Sequence, residues 1–198
     1  KQAGVLYGAT MADMSLREWA AAHQHLSRLQ ALPNLEASAV YAARLLTTEL
    51  ALAMGDAAHA LAVIEPKARV LAADDRAGHM LLARCRLASK EAGQAKLASQ
   101  ALMQWVNQHP RDALAWQLLS LAYEQQGDHL RAIRAQAESR AVELDYPAAV
   151  DRLKAAQELA RTMSRDGRLD RGGHIEASII DARLRALENL RREQALQR

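Results

Sequence analysis

The sequence contains no phenylalanine, one cysteine, four prolines and nine glycines among its 198 residues. A single cysteine, Cys85, excludes an intrachain disulfide and a thiolate-rich zinc site. Strand-forming valine, isoleucine, threonine and aromatic residues are scarce. Alanine, leucine, arginine, glutamine and glutamate, which lose little freedom in a helix, dominate instead. We therefore predict an all-α protein.

Long apolar runs are also missing. No stretch approaches the roughly 18 consecutive apolar residues of a membrane-spanning helix, so we expect no membrane span. The start, Lys1-Gln-Ala-Gly-Val5, has neither an initiator methionine nor the apolar stretch of a signal peptide. We interpret the chain as a fragment of a longer protein.

Charge is unevenly distributed. Residues 161–198 carry nine arginines against six acids, whereas the rest of the chain carries 17 basic and 17 acidic groups. A basic tail can indicate a protein that binds nucleic acid, and we keep this function as one alternative. These arginines alternate with acids, however, and Asp181 with Arg185 and Glu188 with Arg192 stand at the i,i+4 spacing of surface helix pairs. We interpret the tail as a solvated helix face and expect no nucleic-acid partner.

One spacing, Gly-x4-Ala, occurs three times. Its copies are Gly55 with Ala60, Gly93 with Ala98 and Gly127 with Ala132, and the last two lie 34 residues apart. A period of this length is typical of helical solenoids. Antiparallel helices cross closely only where a small side chain faces a large one. The alanine on the second helix is therefore expected to contact large side chains of the first helix, while the glycine permits the turn between them.

The third copy resembles the tetratricopeptide repeat. Trp116, Leu119 and Tyr123 stand on a first helix, before Gly127 in the turn and Ala132 on the second helix. The resemblance implies a superhelical array of helix pairs.

A half-copy follows the third copy. It consists of Ala149, Leu153 and Ala156, and it begins only 17 residues after Ala132. The helix over 129–144 is therefore expected to serve two pairs.

The predicted fold is a tetratricopeptide-repeat helical solenoid, an α-α superhelix, with a C-terminal capping helix. We expect the array over 1–163, a loop over 164–173 and an amphipathic helix over 174–198. Helices are predicted over 4–13, 16–31, 35–54, 57–72, 75–90, 94–108, 112–126, 129–144, 147–163 and 174–195. Pro66 should kink or interrupt the fourth of these. The terminal helix is expected to pack on the last repeat through the stripe Ile175, Ile179, Ala182, Ala186 and Leu190.

The sequence carries none of the common catalytic or metal-binding motifs. There is no H-E-x-x-H and no G-x-S-x-G, and His23 and His25 point about 200° apart on a helix. Cys85 is interpreted as a packed free thiol. The three tryptophans, Trp19, Trp105 and Trp116, are interpreted as core residues. We expect no catalytic residue, no metal ligand and no cofactor in this chain.

Repeat arrays of this kind bind proteins on a concave face formed by the first helix of each repeat. That geometry places nine residues on the predicted partner-binding face: Leu45, Glu49, Leu52, Ala83, Leu87, Lys90, Gln117, Leu121 and Glu124. A clamp for a C-terminal carboxylate uses lysine and asparagine at such positions, and neither occurs at the first two positions of these triplets. We expect a mixed apolar groove for another protein surface.

Short motifs in the tail extend the resemblance. Ala135-Gln-Ala-Glu138, the half-copy over 149–156 and Ile180-Asp-Ala-Arg-Leu184, together with Tyr7-Gly8, resemble the C-terminal region of bacterial M48-family zinc metallopeptidases with tetratricopeptide repeats. That resemblance implies a parent protein with its zinc site in an upstream catalytic domain, a periplasmic location, and repeats that engage that protease domain, the outer-membrane assembly machinery or unfolded outer-membrane proteins. The alternative is a free-standing tetratricopeptide scaffold or adaptor with no attached protease.

Overall fold

The structure is a computed structural model that describes residues 1–66, 71–72 and 74–196. Across these residues it contains ten α-helices and no β-strand, which confirms the all-α class. The helices are α1 (Gln2–Leu16), α2 (Trp19–Gln30), α3 (Ala37–Ala53), α4 (Ala57–Ile64), α5 (Arg76–Ser89), α6 (Gln94–Gln108), α7 (Ala113–Gln125), α8 (His129–Val142), α9 (Tyr146–Arg165) and α10 (Arg171–Leu196).

Each helix has a counterpart among the predicted segments, and the largest differences lie at two ends. Helix α4 ends at Ile64 and is followed by a short 3₁₀ turn at Glu65 and Pro66, as expected where proline interrupts the backbone hydrogen bonds. The predicted continuation to residue 72 falls largely on 67–70, outside the described residues. Helix α10 begins three residues earlier than expected, so the loop after α9 is shorter than 164–173.

The helices group into two compact units, residues 1–91 and 92–198. In the first unit, α1 packs on α2 and α3, α3 packs on α4, and α5 packs on both α3 and α4. In the second unit, α6 packs on α7, α7 on α8 and α8 on α9, and α10 packs on α9 and α8. Helix α8 therefore packs on both of its sequence neighbours, and its role as a helix shared by two repeat pairs stays a prediction. A continuous array over 1–163 with tetratricopeptide architecture stays a prediction.

Two turns show how the repeated spacing folds. Gly55 and Gly127 adopt left-handed backbone angles, with φ of 83° and 73°. In the second turn, the N–H of Gly127 bonds to the carbonyl of Glu124 at 3.0 Å, and the N–H of Asp128 reaches back to the carbonyl of Tyr123 at 3.0 Å. This is the Schellman arrangement, which satisfies the last carbonyls of a helix and reverses the chain.

The alanine that follows each of these glycines by five residues is fully buried. Ala60, Ala98 and Ala132 all have no exposed surface. A methyl side chain lets two helix axes approach closely, and the helices that carry these alanines, α4, α6 and α8, each pack on a neighbour within their own unit. The sequence spacing therefore reflects backbone geometry and packing rather than catalysis.

Two further turns share this geometry without glycine. Arg17 and Leu144 each have a φ of 61°, and each lies five residues before a fully buried alanine, Ala22 and Ala149. Their backbone N–H groups make the same short-range bonds as Gly127. A residue with a Cβ is strained in this conformation by about 1–2 kcal/mol, so the hairpin packing holds these turns against a local cost.

Aspartates begin six of the ten described helices, and at α10 the side chain of Asp170 accepts the backbone N–H of Gly173 at 2.7 Å. The side chains of Asp56, Asp75, Asp112, Asp128 and Asp145 each accept a hydrogen bond from the backbone N–H three residues later. Each bond satisfies an N–H that has no partner within the helix, and such caps contribute roughly 1 kcal/mol apiece. These caps define the starts of α4, α5, α7, α8, α9 and α10.

The face that α10 turns inward differs from the predicted stripe. The buried residues are Glu176, Ile180, Leu184 and Leu187, whereas Ile175, Ile179, Ala182 and Ala186 are exposed and only Leu190 packs against the core. The predicted register was wrong because α10 carries two apolar stripes about 100° apart, and the buried one includes a carboxylate. Glu176 is accepted there because it pairs with Arg134 and Arg131.

Candidate functional site

Two adjoining cavities flank α3 in the first unit. One has a volume of about 430 Å³ and is lined by Gln30, Leu35, Val40, Ala43, Arg44, Thr47, Ala62, Val63 and Pro66. The other, also of about 430 Å³, is lined by Ala37, Val40, Tyr41, Arg44, Leu71, Ala72 and Asp75. Both volumes fall in the range of sites that enclose a ligand group. We call the two together the α3 groove.

Val40 and Arg44 line both cavities. They stand one turn apart on α3 and therefore point to the same side of the helix. Val40 stands in the first turn of α3 and is 46% exposed, so part of its apolar side chain is open to solvent. An apolar surface thus continues from one cavity to the other across α3.

Arg44 is the basic residue of the α3 groove, whose lining also includes the acidic Asp75. The side chain of Arg44 is partly buried, and within the described residues its guanidinium makes no ion pair and donates no hydrogen bond. Arginine stays protonated and offers five N–H donors in a planar fork that suits a carboxylate. The groove therefore presents a positive charge without a carboxylate partner from the described part of the chain.

The far wall of the groove is held in place by Asp75. Tyr41 donates a hydrogen bond from its hydroxyl to one oxygen of Asp75, while the other oxygen accepts the backbone N–H of Gly78 at 3.0 Å. Burial, followed by the bond to Asp75, raises the pKa of Tyr41 above its ordinary value, so the hydroxyl stays protonated and remains a donor. This arrangement ties the start of α5 to the middle of the first unit.

Gly78 is required for that contact. A Cβ at this position would lie 2.5 Å from the Tyr41 hydroxyl and 2.7 Å from Asp75. Such distances are too short for unbonded atoms, so any larger residue would displace the bond between Tyr41 and Asp75. Sequence reasoning missed Tyr41, Asp75 and Gly78. The only available signal was the aspartate three residues before a glycine at a helix start.

The predicted partner-binding residues have three different environments. On α3, Leu45, Glu49 and Leu52 are partly buried, and Glu49 lies 3.8 Å from Arg84. Leu45 and Leu52 pack against the apolar cluster that contains Cys85. These three residues support the interior of the first unit and expose little apolar surface.

On α5, the expectation of an open face does not hold. Ala83 and Leu87 are buried, and only Lys90 is exposed, at the left-handed C-terminal end of the helix. Helix α5 is apolar on most of its circumference, since Met80, Leu81, Leu82 and Cys85 are buried as well. A helix of that kind lies inside its structure and does not form one wall of an open groove.

On α7, the three residues are exposed. Leu121 is 54% exposed, Gln117 donates to Glu143 at 3.3 Å, and the carboxylate of Glu124 lies 3.1 Å from the ring of His129. This part of the predicted face is accessible in the second unit. Its binding role stays a prediction.

The packing residues of the third copy and of the half-copy lie in the interior of the second unit. Trp116, Leu119 and Tyr123 on α7 and Ala149, Leu153 and Ala156 on α9 are all buried. The indole N–H of Trp116 donates to the carbonyl of Pro110 at 2.9 Å, and Trp105 donates to Asp112 at 3.0 Å. Trp105 and Trp116 therefore hold the helices together, as expected, while Trp19 packs at the edge of the apolar cluster of the first unit.

Two of the tail motifs meet in space. Glu138, from the first motif on α8, accepts two hydrogen bonds from the guanidinium of Arg183 in the motif on α10, at 2.8 and 2.7 Å. A two-bond pair of this kind fixes orientation as well as distance. The motifs that carry the resemblance thus include the residues that dock α10 on α8.

Residues with reactive side chains are held in structural roles. Cys85 has no exposed surface, and burial raises the pKa of its thiol to about 11, so it is a protonated core residue. His25 bonds Asp13 at 2.6 Å, and His23 lies 3.2 Å from the sulfur of Met54. In the described part of the chain, no three histidine, cysteine or carboxylate side chains are grouped to hold a metal ion.

Neither a known protein-family profile nor a curated protein matches this chain. Among the described residues, no helix combines the length and apolar character needed to cross a membrane. The geometry of the α3 groove is therefore the basis for a functional proposal.

Proposed function

We propose that this chain is a non-catalytic protein-interaction module and that its α3 groove binds a peptide segment with a carboxylate between two apolar side chains. The observation that carries the proposal is the unpaired guanidinium of Arg44 on the ridge between two apolar cavities. Apolar side chains of the segment would enter the cavities on either side of α3. The carboxylate would meet Arg44.

Partial burial gives Arg44 its importance. An exposed arginine gains little from an ion pair, because water and salt screen the charge. Arg44 lies among Val40, Ala43 and Leu71, where an incoming apolar ligand would exclude water and strengthen the pairing with a carboxylate. A ligand with only apolar groups would leave the guanidinium desolvated and unpaired, which is unfavourable.

On the M48 resemblance, we further propose that the module belongs to a periplasmic zinc-dependent metalloprotease that acts in outer-membrane protein assembly and quality control. Its partners would then be that protease's own catalytic domain, the assembly machinery or unfolded outer-membrane proteins. The described residues provide no grouped ligands for zinc, so this role assigns the metal to the upstream domain. An H-E-x-x-H motif in the reading frame before Lys1 would support this assignment, and its absence would favour the free-standing scaffold.

The binding proposal is tested with short blocked peptides and the purified chain. The probe is a fluorescent peptide containing Leu-Asp-Leu, compared with the same peptide containing Leu-Asn-Leu or Leu-Lys-Leu. We expect the aspartate peptide to bind about tenfold more tightly than the asparagine peptide, as for the loss of one well-placed charge pair. Arg44→Glu should weaken binding of the aspartate peptide and strengthen binding of the lysine peptide.

Arg28→Glu is the matched control, because Arg28 is exposed on α2 in the same unit and lines neither cavity. It should leave the order of affinities unchanged. Equal binding of all three peptides, or a preference that ignores the charge at position 44, would refute the proposal. The reversal with lysine separates a lost contact from a misfolded variant, because a misfolded protein would bind neither peptide.

The non-catalytic part is tested by zinc titration and by incubation with casein. We expect neither stoichiometric tight zinc binding nor chelator-sensitive cleavage, because metal-dependent hydrolysis needs several ligands held around one ion. Either result would overturn this part of the proposal.

A further inference from the structure

The acidic side chains of α10 face its own unit. Glu176 is buried against Arg134 and Arg131, and Asp181 accepts a hydrogen bond from Gln157 at 2.8 Å. Further along the helix, Glu188 lies 3.5 Å from the amine of Lys154 on α9. Of the four acids on this helix, two are therefore paired with cations of α8 and α9, and a third is hydrogen-bonded to a neutral amide of α9.

Three of the five arginines of α10 face outward along one edge. Arg171 and Arg185 are 14 residues apart and Arg185 and Arg192 are seven apart, and multiples of seven keep residues on the same side of a helix. All three are exposed. Within the described residues none pairs with a carboxylate, and Arg192 donates to Asn189 and to a backbone carbonyl. The expected pairs of Asp181 with Arg185 and Glu188 with Arg192 are not formed.

An apolar stripe runs beside this arginine edge. Ile175 and Ile179 are 58% and 43% exposed, and Ala182 and Ala186 continue the stripe at exposed positions. The spacing of four, three and four residues keeps all of them on one face of the helix. Glu193 follows at the C-terminal end of the stripe. We call these four apolar residues together with Arg171 and Arg185 the α10 outer face.

We propose that the α10 outer face binds one α-helix of a protein partner, and that this helix carries an apolar stripe bordered by aspartate or glutamate. The apolar part of the contact follows from the exposed isoleucines, and the acidic border follows from the two arginines that lack a carboxylate. The apolar contacts would determine which face of the partner helix binds. The ion pairs would determine which edge of that face lies beside the arginines, and they would favour partners with acidic residues there.

The two alanines favour a helix over a membrane surface. Ala182 and Ala186 lie in the middle of the stripe, where small side chains allow two helix axes to approach to about 8 Å. A helix that lies on a lipid surface has large side chains such as tryptophan, phenylalanine or leucine at the centre of its apolar face. The α10 outer face has its large residues only at one end.

Charge argues against a second copy of this chain as the occupant. In an antiparallel pair of identical helices, the same edges face each other, so the arginine edge of one copy would face the arginine edge of the other. Like charges at that distance repel. The opposite edge carries Arg183, which is paired with Glu138. Among the described residues of α10, Glu193, at the C-terminal end of the stripe, is thus the single carboxylate that a second copy would offer to the arginine edge.

The test uses the whole chain and two synthetic helical peptides of roughly 18 residues, about five turns. Both have a leucine and alanine stripe, and the stripe is bordered by glutamate in one and by lysine in the other. We expect the glutamate peptide to bind at least about tenfold more tightly and to weaken as salt rises. Arg171→Glu with Arg185→Glu should reverse the preference. Ile179→Ser should weaken both peptides.

The matched control is Arg152→Glu with Arg161→Glu, since both arginines are exposed on α9. It changes the net charge equally and should leave the preference intact. Equal binding of the two peptides, or the same loss in the control, would overturn the proposal. Arg44→Glu should have no effect here, so failure of the α3 groove and failure of the α10 outer face give different results.

Two further measurements test the other two occupants of the α10 outer face, a membrane surface and a second copy of this chain. Sedimentation with vesicles of phosphatidylcholine and phosphatidylglycerol would overturn the helix proposal if the chain binds them and the double arginine variant does not. Sedimentation equilibrium would overturn it in favour of self-association if the chain is dimeric and Ile179→Ser makes it monomeric. A monomer that leaves the vesicles unbound, together with a preference for the glutamate peptide, supports the helix proposal.

Discussion

Removing the carboxylate of Glu176 is expected to be the most damaging single change on α10. The side chain of Glu176 is only 5% exposed and that of Arg134 only 12%, so Glu176→Ala would leave a nearly buried guanidinium without its counter-ion. Breaking a buried pair from one side typically costs about 3–5 kcal/mol. Arg131 cannot take the place of Glu176, because it carries the same positive charge as Arg134, and it keeps its own partner Asp128 at 2.9 Å.

The magnitude can be checked by comparison with an exposed pair. Arg161 and Glu158 lie 3.5 Å apart on α9, with 63% of each side chain exposed. Glu158→Ala should therefore change the free energy of unfolding by less than about 1 kcal/mol. A double replacement, Glu176→Leu with Arg134→Leu, should recover much of the stability lost in Glu176→Ala, since it removes the unpaired charge together with its partner.

The assay is urea unfolding followed by circular dichroism, with the change in midpoint converted through the slope measured for each variant. The single variant should lose at least about 3 kcal/mol. A loss no larger than that of Glu158→Ala would refute the conclusion that the desolvated pair holds α10 to α8. A double variant less stable than Glu176→Ala would do so as well.

Three further changes test the turns and the core. Ala98→Leu should overpack a site with no exposed surface and cost about 1–3 kcal/mol in urea unfolding, and an unchanged midpoint would show that the helices do not cross there. Leu144→Gly should be about 0.5–1 kcal/mol more stable than Leu144→Ala, because glycine relieves the strain at a φ of 61° despite its larger entropy loss; equal stabilities would contradict the assigned strain. Cys85 has a folded pKa of about 11, above its ordinary value of 9.0, so its contribution is complete below pH 9.0 and lost as the pH rises through 11. Cys85→Ala should remove that part of the alkaline destabilisation, and rapid modification of the native thiol at neutral pH would contradict its burial.

The helices could be predicted from the sequence because the chain contains few residues that interrupt a helix. Glycine and proline are few, and Gly55, Gly93 and Gly127 each mark a turn. Pro66 correctly indicated the early end of α4. The turns at Arg17 and Leu144 were not recognised as copies, because nothing in the identity of either residue indicates a left-handed backbone. There the packing of alanine five residues later determines the conformation.

The candidate surfaces were harder to predict because exposure depends on neighbours that are distant in sequence. Leu87 and Leu121 occupy equivalent predicted positions, yet one is buried and the other is exposed. The face of α10 was misassigned because a buried carboxylate opposes the usual rule of hydrophobicity. Only the positions of Arg134 and Arg131 on α8 make Glu176 an inward residue. Arg44 could not be singled out from the sequence either, because its distinguishing feature is that it has no carboxylate partner among the described residues.

Helix α8 packs on α7 and on α9, and its buried side chains are nearly all small: Leu130, Ala132, Ala135, Ala137, Ser139 and Ala141. Small side chains bury little apolar area on either side, and a helix of this length is only marginally stable alone. During synthesis α7 and α8 leave the ribosome before α9 is complete, but that hairpin alone has too little buried surface to persist. The second unit is therefore expected to acquire its structure only when α9 arrives, so that a nascent chain ending within α8 would remain a substrate for chaperones.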